Sequence, residues 1–267
     1  MKNKIIFILS LVIIAQALLI FKFFKKERSG VSLPKAKITQ KAKPMPYIVK
    51  VAIVLDDWGY NRNNLEILRL IEYPLTLAVL PNLAYSQEIA QEAHGLNKEI
   101  ILHLPMEPQA SEKLRLEQDT IMTQMPKDKI LAILAQDLEN LSYAVGVSNH
   151  MGSKLTLDEK AIKIIFEKLK EKRLFFLDSI TSKSICKKVA ENLGVRFVGR
   201  SVFLDNNLNE DYIAQQMRLL VKKAKIKGSA VGIGHDRKIT LETLKKLMPE
   251  LEKEEGVQFV FVSELAR

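Results

Sequence analysis

The strongest constraint on how this chain can fold is a regular alternation. From residue 48 onward, short apolar runs of strand length recur, and most are followed by a stretch with helical spacing. The runs fall at 48–55, 75–80, 98–103, 145–149, 174–178, 196–199, 230–234 and 257–262. Between Asp158 and Lys172, Ile162, Ile165, Phe166 and Leu169 share one helical face, and Thr156 with Glu159 predicts a capping-box start. Pro126 opens a helix with the stripe Ile130, Leu134, Leu138 and Leu141, and Gly194 closes another after Val189 and Leu193. Strands separated by crossover helices pair in parallel, because each helix carries the chain back to the end of the sheet at which the preceding strand began. Eight such units in one chain of this length predict a single α/β domain, a compact or incomplete (β/α) barrel. No glycine-rich phosphate loop follows the first strand, which argues against an open nucleotide-binding sheet.

The formal charge of +10 suggests nucleic acid until it is located. Residues 1–50 hold 11 Lys/Arg and one acid, leaving 30 of each sign in the remainder, so the predicted domain is neutral and nucleic acid is not an expected partner. The excess flanks the apolar segment Ile5 to Phe21, which has about the minimum length to span a bilayer. Ala15-Gln16-Ala17 resembles a signal-peptidase site but lies inside the apolar run, which favours an uncleaved anchor in the inner membrane over a removed signal peptide. Residues 1–24 are therefore read as membrane anchor or signal segment, 25–47 as a basic flexible tether rich in Lys and Pro, and 48–267 as the barrel domain. That arrangement predicts an extracytoplasmic, envelope location. The single cysteine, Cys186, excludes an internal disulfide.

Parallel barrels build their sites at the C-terminal ends of the strands, so the informative residues are those on which each strand stops. The first stops on Asp56-Asp57, the third on His103 followed by Glu107, and the fourth on Asn149-His150. The fifth stops on Asp178, the sixth runs into Arg200, and the seventh ends on His235. Three of the four histidines thus fall on one predicted rim; the fourth, His94, sits late in a helix, where it favours the C-terminal dipole. Two adjacent buried carboxylates are costly unless a metal or proton offsets their repulsion. Imidazole and carboxylate donors suit zinc or a similar divalent ion, and a catalytic site needs three protein ligands with one position open. Successive strand residues point to opposite sides, so Asp56 and Asp57 can divide the work, one holding metal and the other accepting a proton. Asp178 is either an orienting partner for a histidine or a cap for the next helix, and Arg200 either holds an anionic group or pairs with an acid. Trp58, the only tryptophan, is either an aromatic platform at the mouth or a core residue.

These strand ends resemble the polysaccharide deacetylases, specifically their divergent bacterial branch. The resemblance rests on Ile53-Val54-Leu55-Asp56-Asp57-Trp58-Gly59, Leu102-His103-Leu104-Pro105-Met106-Glu107-Pro108, Asn149-His150-Met151-Gly152-Ser153, Phe176-Leu177-Asp178-Ser179 and Gly232-Ile233-Gly234-His235, and covers residues 48–265. It implies a distorted seven- to eight-stranded barrel and divalent-metal-dependent hydrolysis of acetyl groups on a cell-envelope glycan. By resemblance Asp56 is the general base, Asp57 and His103 are metal ligands, and His235 is the general acid. Better-characterised members carry a second histidine four positions after the first, where this chain has Glu107. The missing ligand is then Glu107 or His150, with His150 preferred because its turn has little structural need for imidazole. The arginine-proline motif of active members is not recognisable, and Gly234 replaces a bulkier neighbour. Asn149 and Arg200 remain candidates for substrate contact. The competing expectation is a catalytically degenerate envelope protein that uses the same rim to bind glycan or protein.

Overall fold

β1, Val49–Trp58, is the spine of the domain in the computed structural model of the protein. Eight further parallel strands follow among the described residues: β2 (Thr76–Val79), β3 (Glu99–Met106), β4 (Gly146–Met151), β5 (Phe175–Asp178), β6 (Phe197–Gly199), β7 (Val202–Phe203), β8 (Ser229–His235) and β9 (Val257–Val260). The order is β6-β5-β4-β3-β2-β1-β8-β7, with β9 beside the first half of β1. Helices α1 (Leu65–Arg69), α2 (Ser86–Gly95), α3 (Lys127–Asn140), α4 (Glu159–Glu171), α5 (Cys186–Leu193), α6 (Glu210–Lys227) and α7 (Lys238–Glu255) alternate with them. The sheet curls into a (β/α) barrel-like fold with a seam between β6 and β7. Backbone bonds from Arg200 to Asp178 and from Ser201 to Val231 connect the seam to β5 on one side and β8 on the other.

The structure describes Lys22 and residues 48–180 and 183–267, and the barrel belongs to the compact unit Pro46–Arg267. The apolar segment 5–21 and the tether 25–47 lie outside the described residues. Among the described residues no helix is long and apolar enough to cross a membrane.

Side-chain alternation sorts the strands into two cores. Val49, Val51, Ile53 and Leu55 pack in the larger one with helix residues such as Ile165, Phe166 and Leu244. Ala52 and Val54 join Ala78, Ile101, Phe175, Leu177, Val231, Ile233 and Val260 in a smaller one to which no α-helix contributes, the barrel interior. Residues two further along the inward rows, Asp56 on β1, His103 on β3 and His235 on β8, therefore reach the C-terminal rim on the inner side.

Helix boundaries follow local chemistry, with one correction. Pro126 precedes α3, and Gly194 (φ 68°) ends α5 in the left-handed conformation that a glycine adopts without steric cost. At α4 the cap is Asp158, whose side chain accepts from the Ala161 N–H at 2.8 Å, and not Thr156. Thr156 lies in a short 3-10 turn, Leu155–Leu157, and donates its hydroxyl to the Gly152 carbonyl, so the helix starts later than the sequence pattern predicts.

Candidate metal centre

The end of β1 carries an extra residue. Leu55 pairs with Leu77 and Trp58 with Val79, so β1 uses three steps where β2 uses two. This β-bulge coincides with a positive φ of 65° at Asp57, a conformation that aspartate tolerates better than most residues. The bulge overrides simple alternation: Asp56 and Asp57 do not diverge but both approach His103 Nε2, at 3.7 and 3.3 Å. It also turns Trp58 to the same side as Leu55, into the larger core.

Asp57 Oδ1 further lies 3.1 Å from His150 Nδ1. Asp57, His103 and His150 are the one group of such side chains among the described residues whose donor atoms gather closely enough for a common ion, all within 4.8 Å of one another. Two donors at zinc-ligand distance and the tetrahedral angle stand about 3.4 Å apart, so the observed contacts of Asp57 fit a divalent ion held between carboxylate and imidazoles. His103 places Nδ1 against Ser148 Oγ at 2.8 Å, which holds the ring with Nε2 toward the aspartates. Burial alone would raise the Asp57 pKa, but the bonds and charges of His103 and His150 hold it well below the carboxylate range.

Asp56 differs in kind. It is 3% exposed, and its Oδ1 is buried without a hydrogen-bond partner. Burial, opposed by the His103 charge and reinforced by Asp57, pushes its carboxyl above the ordinary range. An unpartnered, desolvated carboxylate oxygen beside a cluster of candidate metal donors is equipped to accept a proton.

His235 faces Asp56 in register across the β1–β8 pair. Its Nδ1 lies 2.7 Å from Asp205 Oδ1, and its backbone N–H donates to Asp205 Oδ2 at 2.9 Å. An ionised carboxylate can only accept, so Nδ1 carries the proton toward Asp205 and Nε2 is left for chemistry. Burial would lower the His235 pKa, but the bond to Asp205 and its charge outweigh that and raise it. Asp205 is fully buried and also accepts from Thr240 Oγ1 at 2.7 Å. Sequence reasoning missed it, because β7 has only two residues. The signal was nonetheless present: Val202-Phe203-Leu204-Asp205 is another apolar run ending on an acid.

The remaining candidates take structural partners. Glu107 accepts from the Thr123 N–H and hydroxyl, each at 2.7 Å, and from Lys154 Nζ at 2.6 Å, and it lies outside the donor cluster. Asp178 orients no histidine; it accepts from the Ile180 N–H at 2.8 Å and from Ser184, because it sits on the helix-facing row of β5. Arg200 donates to the carbonyls of Ser179 and Ile180, both at 2.6 Å, and its guanidinium lies 3.6 Å from the centre of the Phe203 ring. It thus satisfies a turn strained by Ile180 (φ 48°), and no ion pair joins it to an acid among the described residues. Asn149 bridges the Ser179 N–H and the Met151 carbonyl, tying β4 to β5, and is buried. Trp58 is fully buried and is no platform at the mouth. His94, in the last turn of α2, stacks on Tyr143.

Comparison with known proteins agrees with this architecture. The family model of the divergent polysaccharide deacetylases matches residues 53–266. The uncharacterized protein YibQ of Escherichia coli K12 is 35% identical over 203 residues, covering 76% of this chain and 63% of that protein, so the match spans less than two thirds of its length. Among solved structures, an uncharacterized protein from Agrobacterium tumefaciens C58 superposes with a TM-score of 0.78 at 22% identity, covering 82% of this chain and 89% of that one. The catalytic domain of a peptidoglycan N-acetylglucosamine deacetylase from Eubacterium rectale shares the fold at a TM-score of 0.51 and 14% identity, over 80% of this chain and 88% of that one. With the family matched across nearly the whole barrel, this chain belongs to the divergent polysaccharide deacetylases.

Proposed function

We propose that the protein is a divalent-metal-dependent hydrolase, with zinc as the metal, that removes acetyl groups from a cell-envelope polysaccharide. The observation that carries this reading is the Asp57, His103 and His150 donor cluster with the unpartnered Oδ1 of Asp56 beside it. A divalent ion held by those three side chains would supply Lewis acidity toward the acyl carbonyl oxygen. Asp56 accepts the proton of the attacking water through its free oxygen. His235, facing Asp56 in register, protonates the departing sugar amine or hydroxyl from Nε2 while Asp205 holds its other nitrogen. Ser148 keeps His103 in the orientation the cluster needs. The fold shared with a peptidoglycan N-acetylglucosamine deacetylase supports an amide-linked acetyl on an amino sugar as the substrate. The same reading puts the barrel on the outer side of the inner membrane, with residues 5–21 as its anchor.

The test uses the full chain in detergent: metal content after purification without chelator, then acetate release from acetylated chitooligosaccharides and peptidoglycan fragments. The expected outcome is about one divalent ion per chain and acetate release that falls at least about a hundredfold in Asp56→Asn, with metal retained. Absence of metal, with no rise in unfolding temperature on adding zinc, overturns the metal site. Bound metal with no acetate released by wild type assigns the rim to binding instead.

A further inference from the structure

With Trp58 buried, the mouth of the site still has an exposed aromatic residue. Tyr60 is 49% exposed and stands three residues beyond Asp57, after a sharp turn in which Asp57 and Gly59 both take positive φ, 65° and 130°. Its hydroxyl donates to the Glu117 carboxylate. Burial and that bond hold the phenol above its ordinary range.

Glu117 is carried by the segment between β3 and α3, and that segment is pinned to the rim. Ile121 pairs with Met106 in parallel, its N–H donating to the Pro105 carbonyl at 2.9 Å and its carbonyl accepting from the Glu107 N–H at 2.9 Å. The Glu117 carbonyl accepts from the Thr120 hydroxyl at 2.7 Å, fixing the turn that presents it. Tyr60 bonds one carboxylate oxygen, Oε1, and a carboxylate has further acceptor positions. The result is an aromatic ring, half open to solvent and held by its hydroxyl, next to a hydrogen-bond acceptor at the edge of the centre.

We infer that Tyr60 and Glu117 form a sugar-ring subsite beside the metal centre, taking the pyranose unit next to the one that reacts. The electron-rich face of the ring meets the electropositive C–H face of the sugar, and Glu117 accepts from a sugar hydroxyl. This deepens the proposed function and rests on it, since both take a glycan as ligand. It predicts that the protein engages an oligosaccharide and not an isolated acetylated monosaccharide.

The test is calorimetric titration of the full chain, zinc added, with chitotetraose. Tyr60→Ala weakens binding about tenfold, the scale of one aromatic contact, and Tyr60→Leu, which keeps apolar bulk without a π face, weakens it equally. Tyr60→Phe stays within about threefold of wild type because the ring remains. Tyr143→Ala, which alters the other exposed tyrosine among the described residues, stacked on His94, leaves affinity unchanged. The subsite is overturned if Tyr60→Ala binds as wild type does, if Tyr60→Phe and Tyr60→Ala weaken alike, or if wild type does not bind chitotetraose. Binding that depends on Tyr60 without acetate release sinks the hydrolase reading and leaves the subsite standing; acetate release with Tyr60-independent binding does the reverse.

Discussion

At Asp57 the backbone turns left-handed, and that one angle decides what two adjacent carboxylates can do. Without the bulge Asp57 would leave β1 on the helix side, and the donor cluster would lack its oxygen ligand. With it, Asp57 is bonded and held ionised by two imidazoles, while Asp56 stays buried with an oxygen to spare. The His235–Asp205 pair yields a prediction at the same scale. As the proposed general acid, His235 must carry its proton, so activity is expected to fall as pH rises through its pKa, which Asp205 holds up against burial. Asp205→Asn removes the charge and leaves the shape, so the alkaline limb of kcat/KM moves to lower pH and kcat drops roughly ten- to a hundredfold. A pH–rate profile of acetate release measures both, and an unmoved alkaline limb would show that Asp205 does not tune His235.

Among the elements, every strand but the shortest was readable. β1, β3 and β8 are continuous apolar runs that carry Asp56 and Asp57, His103, and His235 at or near their C-terminal ends, so the strands and their rim residues could be read directly. β7 could not, since two residues show no period, and the buried acid it delivers was lost with it. The start of α4 shows the same limit: Thr156 and Asp158 are both good capping types, and only the 3-10 turn before the helix decides between them. Asp158→Ala is expected to cost about 1 kcal/mol, read as a lower urea midpoint with an unchanged slope. An unchanged midpoint would mean the cap contributes nothing beyond what water supplies. Gly234 is a further close fit between elements, because a Cβ there would stand 2.9 Å from the Thr240 methyl and disturb the helix residue that holds Asp205.

For the molecule as a whole, stability should carry the mark of a buried acid remote from the chemistry. Asp137 on α3 is 1% exposed; burial, only partly offset by the 2.7 Å bond from Asn82 Nδ2, pushes its pKa up to about 7. The folded state then binds this proton more tightly than the unfolded chain, whose aspartate titrates near about 4. Its stabilising effect is complete below about pH 4 and is lost as pH rises toward 7. Unfolding temperatures between pH 5 and 8 should decline less steeply in Asp137→Asn than in wild type, and identical slopes would refute the shift. The sequence by itself determined eight of the nine strands, that they run parallel, and which polar residues stand at their C-terminal ends, because apolar runs and helix periods are local properties of the chain. Only the tertiary structure decided that His150 and not Glu107 joins Asp57 and His103, that Asp205 stands behind His235, and that Tyr60 rather than Trp58 is exposed near the centre. Those outcomes depend on one inserted residue in β1 and on how far the sheet curls, and both are set by packing between strands distant in sequence.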